Sequence, residues 1–210
     1  MSVAVFACMV RRTLGISASV FLTLIVALQG QPAGPPIVWR IRDVPAALRP
    51  AVSRADIVIV TMHDALLREL DSGLEKGGPA RAIKSCHIDA AWVAQRVGRQ
   101  EGIAAGRTGD RLRNPLNAPR PWAAPIVAAN AARRAADVDG VAVDLGDKLG
   151  VLRPIAQRPS CAACHGRQDE LSAAIRTELR DRYPADRATG FGEGEVRGWY
   201  WVEIPKRPSR

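Results

Sequence analysis

The spacing of apolar residues predicts two consecutive helices in the first half of the chain. Residues 51–70 place apolar side chains three or four positions apart, which is the repeat of one helix face. Gly77 and Gly78 end this helix, and Pro79 suits the first turn of the next, which we expect to run to about residue 99. The apolar face of the second helix carries Ile83, Cys86, Ala90, Val93 and Val97.

The remainder of the chain predicts strands, loops and short helices. Residues 195–204 alternate between two sets of side chains, as a half-buried strand does, and a second strand is expected around Val151 and Leu152. A loop rich in Gly, Asn and Pro covers residues 106–121. Helices are expected at 122–134 and 171–182, the latter ending before a proline. The order of elements therefore indicates a mixed α and β domain.

The beginning of the chain has the pattern of a secretory signal. Arg11 and Arg12 precede an uncharged, mostly apolar run at 13–28, and a Gly- and Pro-containing exit follows it. We expect cleavage near Ala33, which leaves residues 34–210 as one exported, periplasmic domain. An uncleaved anchor stays open, although a membrane span needs about 20 apolar residues. Translation starting at Met9 would remove Cys8.

Charge narrows the choice of partners. The formal net charge is +9, and the predicted signal contains only two of the 30 Lys and Arg residues. Export and the scattered arginines argue against nucleic acid. An acidic redox partner, an anionic membrane surface or an acidic cofactor group fits a basic exported domain better. The oligomeric state is not indicated by the sequence.

The segment Cys161-Ala162-Ala163-Cys164-His165 has the pattern for covalent attachment of a c-type haem. Each thiol adds to one vinyl group of the porphyrin, and the adjacent histidine becomes the proximal iron ligand. A redox dithiol would not need the histidine, and a zinc site needs about two more ligands than this motif supplies. A disulfide across so short a loop would be strained. The motif therefore predicts one covalent haem c.

Four further patterns resemble one known family. They are GPARAIKSC at 78–86, the Arg-Asn-Pro segment within 106–119, Leu-Arg-Pro-Ile at 152–155, and the stretch from YPADRATGF to GEVRG at 183–198. Together they resemble the exported monohaem proteins of the c-type haem family, whose PAS-like domain was first catalogued as a domain of unknown function. The resemblance implies an α+β fold, in which helices pack on an antiparallel sheet around one covalent haem.

The resemblance also implies that Cys86 is the distal iron ligand, opposite His165. A thiolate would stabilise ferric iron and lower the reduction potential. His87 is the alternative ligand, because neutral imidazole is equally competent. His63 and Met62 on the preceding helix are further candidates, and an open sixth position stays possible. A buried free cysteine also packs as a small apolar side chain, which is the structural alternative for Cys86.

Two arginines are candidates for binding the haem propionates. Arg107 and Arg113 each carry a guanidinium fork that matches a carboxylate. Ordinary loop contacts are the alternative role for both residues. Tyr183 and Arg197 are weaker candidates for the same contacts, with packing as their alternative.

These features predict a protein of one-electron chemistry rather than an enzyme, because no acid-base constellation accompanies the haem motif. We expect redox sensing or electron transfer, with a redox partner or a separate signalling protein to receive the output. A sensor of nitric oxide or carbon monoxide is the alternative and requires a sixth ligand that leaves. A thiol oxidoreductase that uses Cys161 and Cys164 is the remaining alternative, and it predicts no bound haem.

Overall fold

A computed structural model describes residues 35–100 and 103–207, with the backbone alone described at 84–100. The predicted signal at 1–33 and the alternative start at Met9 lie outside the described residues. Within the described part, no helix is long and apolar enough to cross a membrane. The strands are β1 Val38–Arg40, β2 Ala104–Thr108, β3 Val141–Asp144, β4 Lys148–Ala156 and β5 Val196–Pro205. The helices are α1 Arg49–Gln100, α2 Ala124–Ala129, α3 Ala162–His165 and α4 Ala173–Arg182.

The five strands form one antiparallel sheet in the order β1-β3-β4-β5-β2. The long strands β4 and β5 occupy its centre, and the short strands β1 and β2 form its edges. Helix α1 packs against β2, β4 and β5. The expected α+β class, with helices on an antiparallel sheet, is therefore confirmed.

Both faces of the sheet are covered. On one face, Met62 of α1 packs with Val151 and Val202 in the main core cluster. On the other face, Trp199 and Leu152 pack with Val127 of α2. Strand β5 is therefore buried on both faces and not half-buried as its alternation predicts, because Trp199 and Trp201 belong to this second cluster.

A register shift changes which side chains of β5 share a face. The β4–β5 pairing shifts between Ile155 and Ala156, so that Arg197 has no directly opposite partner in the ladder. Val196 consequently packs in the cluster of Trp199 instead of sharing a face with Tyr200, as simple alternation predicted. The shift also affects where Arg197 lies, which matters for the functional site.

Helix α1 is two helices joined at a sharp turn, as the sequence predicts. The backbone is non-helical at Gly77 and Gly78, and Pro79 follows in the next helical segment. The two segments approach closely, because a Cβ at Gly73 would lie 2.7 Å from Cα of Ala82. After the turn, Ile83 is buried with residues of α4.

Other element boundaries differ from the expectations. The predicted loop at 106–121 begins inside β2, whose small residues form a strand because they pair with β5. Gly106 lies against the Trp201 ring, where a Cβ would come within 2.8 Å of Cζ2. The helix expected at 122–134 is shorter, and β1 and β3 were not predicted because each is brief.

We expect Gly78→Ala to lower the free energy of unfolding by about 1–3 kcal/mol, because Gly78 (φ 70°, ψ −168°) lies in a region that glycine alone occupies readily. No atom lies within 4 Å of a Cβ built there, so the effect is one of backbone strain and not of a clash. Urea denaturation measures the loss. Gly192→Ala, which lacks a positive φ, is the control, and an equal loss in both variants would contradict the explanation.

Candidate functional site

The Cys-x-x-Cys-His segment folds as a compact helical turn shortly after the central strand β4. A 3-10 turn, Pro159–Cys161, leads directly into the one-turn helix α3. Residues three apart lie on one side of such a turn, so Cys161 and Cys164 are neighbours, and both are partly exposed. Gly166 ends the turn, and glycine is required because a Cβ would lie 2.6 Å from the carbonyl oxygen of Ala162.

The imidazole of His165 is held in one tautomer. Its Nδ1 lies 2.7 Å from the backbone oxygen of Ala188. Since a carbonyl oxygen only accepts hydrogen bonds, Nδ1 carries the proton and Nε2 keeps its lone pair. Burial, followed by the charges of Arg113 and Arg197, holds the pKa of His165 well below its usual value. The ring is therefore neutral, which is the form that ligates a metal.

Arg113 connects residues 159–166, which we call the attachment turn after the chemistry that the sequence predicts, to the loop that follows α4. Its Nε donates to Oδ2 of Asp186 at 3.1 Å, and its Nη2 donates to the backbone oxygens of Cys164 and Ala188. The side chains of Arg113 and Asp186 are only 16% and 9% exposed. Asp186 also accepts the N–H of Ala188 at 2.8 Å. Arg113 therefore makes the loop contacts that were the alternative to a propionate contact in the prediction from sequence.

The same loop covers the attachment turn through its backbone. The N–H of Gly190 donates to the oxygen of Gly166 at 2.7 Å, and the N–H of Phe191 donates to the oxygen of His165 at 3.2 Å. The Phe191 ring meets the His165 ring edge-on, with centroids 6.4 Å apart. Arg111 stacks on Phe191, with Cζ 3.7 Å from the ring centroid. The turn is thus fixed in position by contacts remote in sequence.

Arg107, the other predicted propionate contact, lies in β2 directly opposite Tyr200 of β5. Its side chain is half buried, and it forms no hydrogen bond or ion pair with any residue that the structure describes. Burial lowers the pKa of both His165 and Arg197, and the positive charge of Arg107 lowers each pKa further. Arg107 therefore lies in the same electrostatic environment as the attachment turn.

The candidates for the sixth ligand occupy different places on α1. Met62 is fully buried in the core, and His63 Nδ1 is joined to the Tyr200 hydroxyl by a hydrogen bond of 2.8 Å. Burial raises the pKa of Tyr200. Cys86 and His87 lie after the Gly-Gly turn, in the part of α1 whose side chains are outside the described residues.

Two polar side chains near the motif have buried atoms without partners among the described residues. Gln157, four positions before Cys161, is 2% exposed, and neither of its amide atoms has a hydrogen-bond partner. The Nε of Arg197 is likewise buried and unpaired, while its Nη1 lies 3.3 Å from Nε2 of His165. Gln157 carried no signal in the sequence. The position of Arg197 depends on the β4–β5 register shift, which single-sequence alternation does not reveal.

Comparison with known proteins gives two matches. Residues 42–205 match the model of the Tll0287-like family. Among solved structures, the chain is similar to one titled "Crystal structure of the cyanobacterial heme-protein Tll0287", with a TM-score of 0.55 and 23% sequence identity. That similarity covers 77% of this chain and 98% of the other, and it shows a common fold. No curated protein matches the chain.

Replacing Arg113 tests its structural role. We expect Arg113→Ala to lower the free energy of unfolding by about 3 kcal/mol, because Asp186 would remain buried without its cation. The matched control is Arg167→Ala, since the Arg167–Asp169 pair is exposed and such pairs contribute little to stability. Urea denaturation of both variants gives the comparison. A loss in Arg113→Ala no larger than that in the control would refute the role.

Proposed function

The chain belongs to the Tll0287-like family, and from this premise we propose that it is an exported cytochrome-like protein with one covalent haem c. Its role would be redox sensing or one-electron transfer in the periplasm. The observation that carries the proposal is the hydrogen bond of 2.7 Å between Nδ1 of His165 and the Ala188 oxygen, which leaves the Nε2 lone pair available in the residue that directly follows Cys164. We propose no catalytic activity.

The residues of the attachment turn fit a covalent haem. Cys161 and Cys164 are partly exposed and lie three positions apart on a compact helical turn, a spacing that places two side chains on one side of the turn. In each attachment, the sulfur of Cys161 or Cys164 would bond to one carbon of a vinyl group, and the thiol hydrogen would go to the other carbon. No oxidant is consumed, and the mass of the product is the sum of the polypeptide and the haem.

His165 would hold the iron from the proximal side. The hydrogen bond from Nδ1 to Ala188 fixes the ring orientation and leaves Nε2 as the ligating atom. The low pKa of His165 favours ligation, since no proton must be removed from Nε2 at neutral pH. The contact between Arg197 and Nε2 would give way when the iron binds.

Cys86 remains our proposal for the distal ligand. The Gly-Gly turn directs the second half of α1 toward α4, where Ile83 is buried in a cluster that Cys164 contacts. Positions 83 and 86 are three apart, and helical periodicity places them on one face. This arrangement supports a ligand from the second half of α1. His87 is the alternative, and Met62 is less well suited because it is enclosed in the core.

The site supports electron exchange more than acid-base chemistry. Haem, when bound, supplies the one-electron couple between ferric and ferrous iron. His165 is neutral and contributes ligation, and the arginines around it contribute positive charge. The formal net charge of +9 suits an acidic redox partner or a separate signalling protein.

The covalent haem is tested by mass spectrometry of protein matured with a cytochrome c assembly system. We expect one haem in addition to the processed polypeptide, and haem staining that survives a denaturing gel. Cys161→Ala combined with Cys164→Ala should abolish both signals, because no vinyl group can then be attached. Wild-type protein without haem but with two reactive thiols would contradict the proposal and favour the thiol oxidoreductase.

The distal ligand is tested by ferric EPR of the haem-loaded protein. We expect Cys86→Ser to remove a thiolate low-spin signal and to raise the reduction potential, because thiolate stabilises ferric iron. His87→Ala is the matched variant on the neighbouring position and should leave that signal in place. If His87→Ala removed the low-spin signal and Cys86→Ser did not, His87 would be the distal ligand.

A further inference from the structure

The charges around His165 are unbalanced. Arg107, Arg113 and Arg197 all act on this histidine to lower its pKa, so three cations lie within electrostatic range of one another. Asp186 neutralises Arg113 through an ion pair of 3.1 Å. Arg107 and Arg197 form no ion pair with any residue between 35 and 207 that the structure describes with its side chain. Two positive charges are therefore without a carboxylate.

The guanidinium of Arg197 shows the imbalance most clearly. Its Nε is buried, and it has no hydrogen-bond partner among the described groups. Burial of an unpaired guanidinium opposes folding, and a buried donor without an acceptor increases that cost. The hydrogen bond that Arg197 does form uses Nε2 of His165, at 3.3 Å. That nitrogen has one lone pair, so it cannot serve Arg197 and a metal together.

We propose that Arg197 and Arg107 bind the carboxylate groups of the ligand at this site. This inference rests on the proposed function, under which the ligand is haem and the carboxylates are its two propionates. A carboxylate gives Arg197 the acceptor that it loses when Nε2 ligates iron, and it satisfies the buried Nε. It also neutralises the repulsion between Arg107 and Arg197. Arg113 is already engaged with Asp186 and holds the attachment turn instead.

The three arginines have different roles in this proposal and lie on different elements. Arg107 lies on the edge strand β2, whereas Arg197 lies on β5, at the register shift between β4 and β5. Neither position is on the attachment turn, so both arginines can be replaced while Cys161 and Cys164 stay in place. This separation allows haem attachment and propionate binding to be measured independently.

The experiment compares haem-loaded Arg197→Gln and Arg107→Gln with Arg180→Gln. The control removes the same charge from an exposed position on α4. Haem content is measured first, from the pyridine haemochrome. Resonance Raman spectra then give the propionate bending bands, and redox titration gives the potential. We expect both test variants to keep covalent haem, to shift the propionate bands and to have a lower potential, because loss of a nearby cation favours ferric iron.

Arg197→Lys keeps the charge and loses the fork, so we expect shifted propionate bands with a potential close to that of the wild type. It also provides the measurement if Arg197→Gln does not fold. Haem-loaded Arg197 and Arg107 variants with the bands and potential of the control would overturn the inference and leave the proposed function standing. Wild-type protein that binds no covalent haem would overturn the proposed function, before any arginine variant is compared.

Discussion

The hydrogen bonds of Arg113 are the interaction on which the geometry of the site depends. This one guanidinium contacts the attachment turn at Cys164 and the following loop at Asp186 and Ala188. Ala188 is also the residue that fixes the tautomer of His165. Arg113 therefore holds both the attachment turn at Cys164 and the Ala188 carbonyl that sets the tautomer of His165.

A consequence of this arrangement is a basic and largely buried environment. The same burial that protects the hydrogen bonds of Arg113 lowers the pKa of His165 and of Arg197. A neutral histidine is stable among cations, whereas a buried arginine without a carboxylate is not. Under the proposed function, His165 would therefore ligate the iron, and an anion would stabilise Arg197. A ligand that combines a metal with carboxylates meets both requirements.

Both faces of the sheet are buried, and this burial fixes the strands from which the site is built. Helix α1 covers one face through Met62 and its neighbours, and the second cluster buries Trp199 on the other. Glu203 shows how completely the second face is covered, since it is 8% exposed and accepts hydrogen bonds from Arg120 and Trp122. With β4 and β5 fixed on both sides, the turn that follows β4 starts from a rigid position.

The sequence by itself determined the features that depend on neighbouring residues. The spacing of Cys161, Cys164 and His165 predicted the chemistry, and Gly77 and Gly78 predicted the break in α1. The four patterns together, through the family that they resemble, predicted the antiparallel sheet. Two of them, the Arg-Asn-Pro loop and residues 183–198, contact the attachment turn in the fold. Local spacing succeeds in these cases because helical turns and backbone breaks are set within a few residues.

Only the tertiary structure decided the features that depend on distant partners. The tautomer of His165 is set by Ala188, 23 positions away, and the role of Arg113 is set by Asp186, 73 positions away. The small residues of β2 form a strand because β5 pairs with them, and not because of their own propensity. Arg197 reaches His165 where the β4–β5 register shifts. Hydrogen-bond partners and strand register belong to pairs of segments, so neither segment encodes them alone.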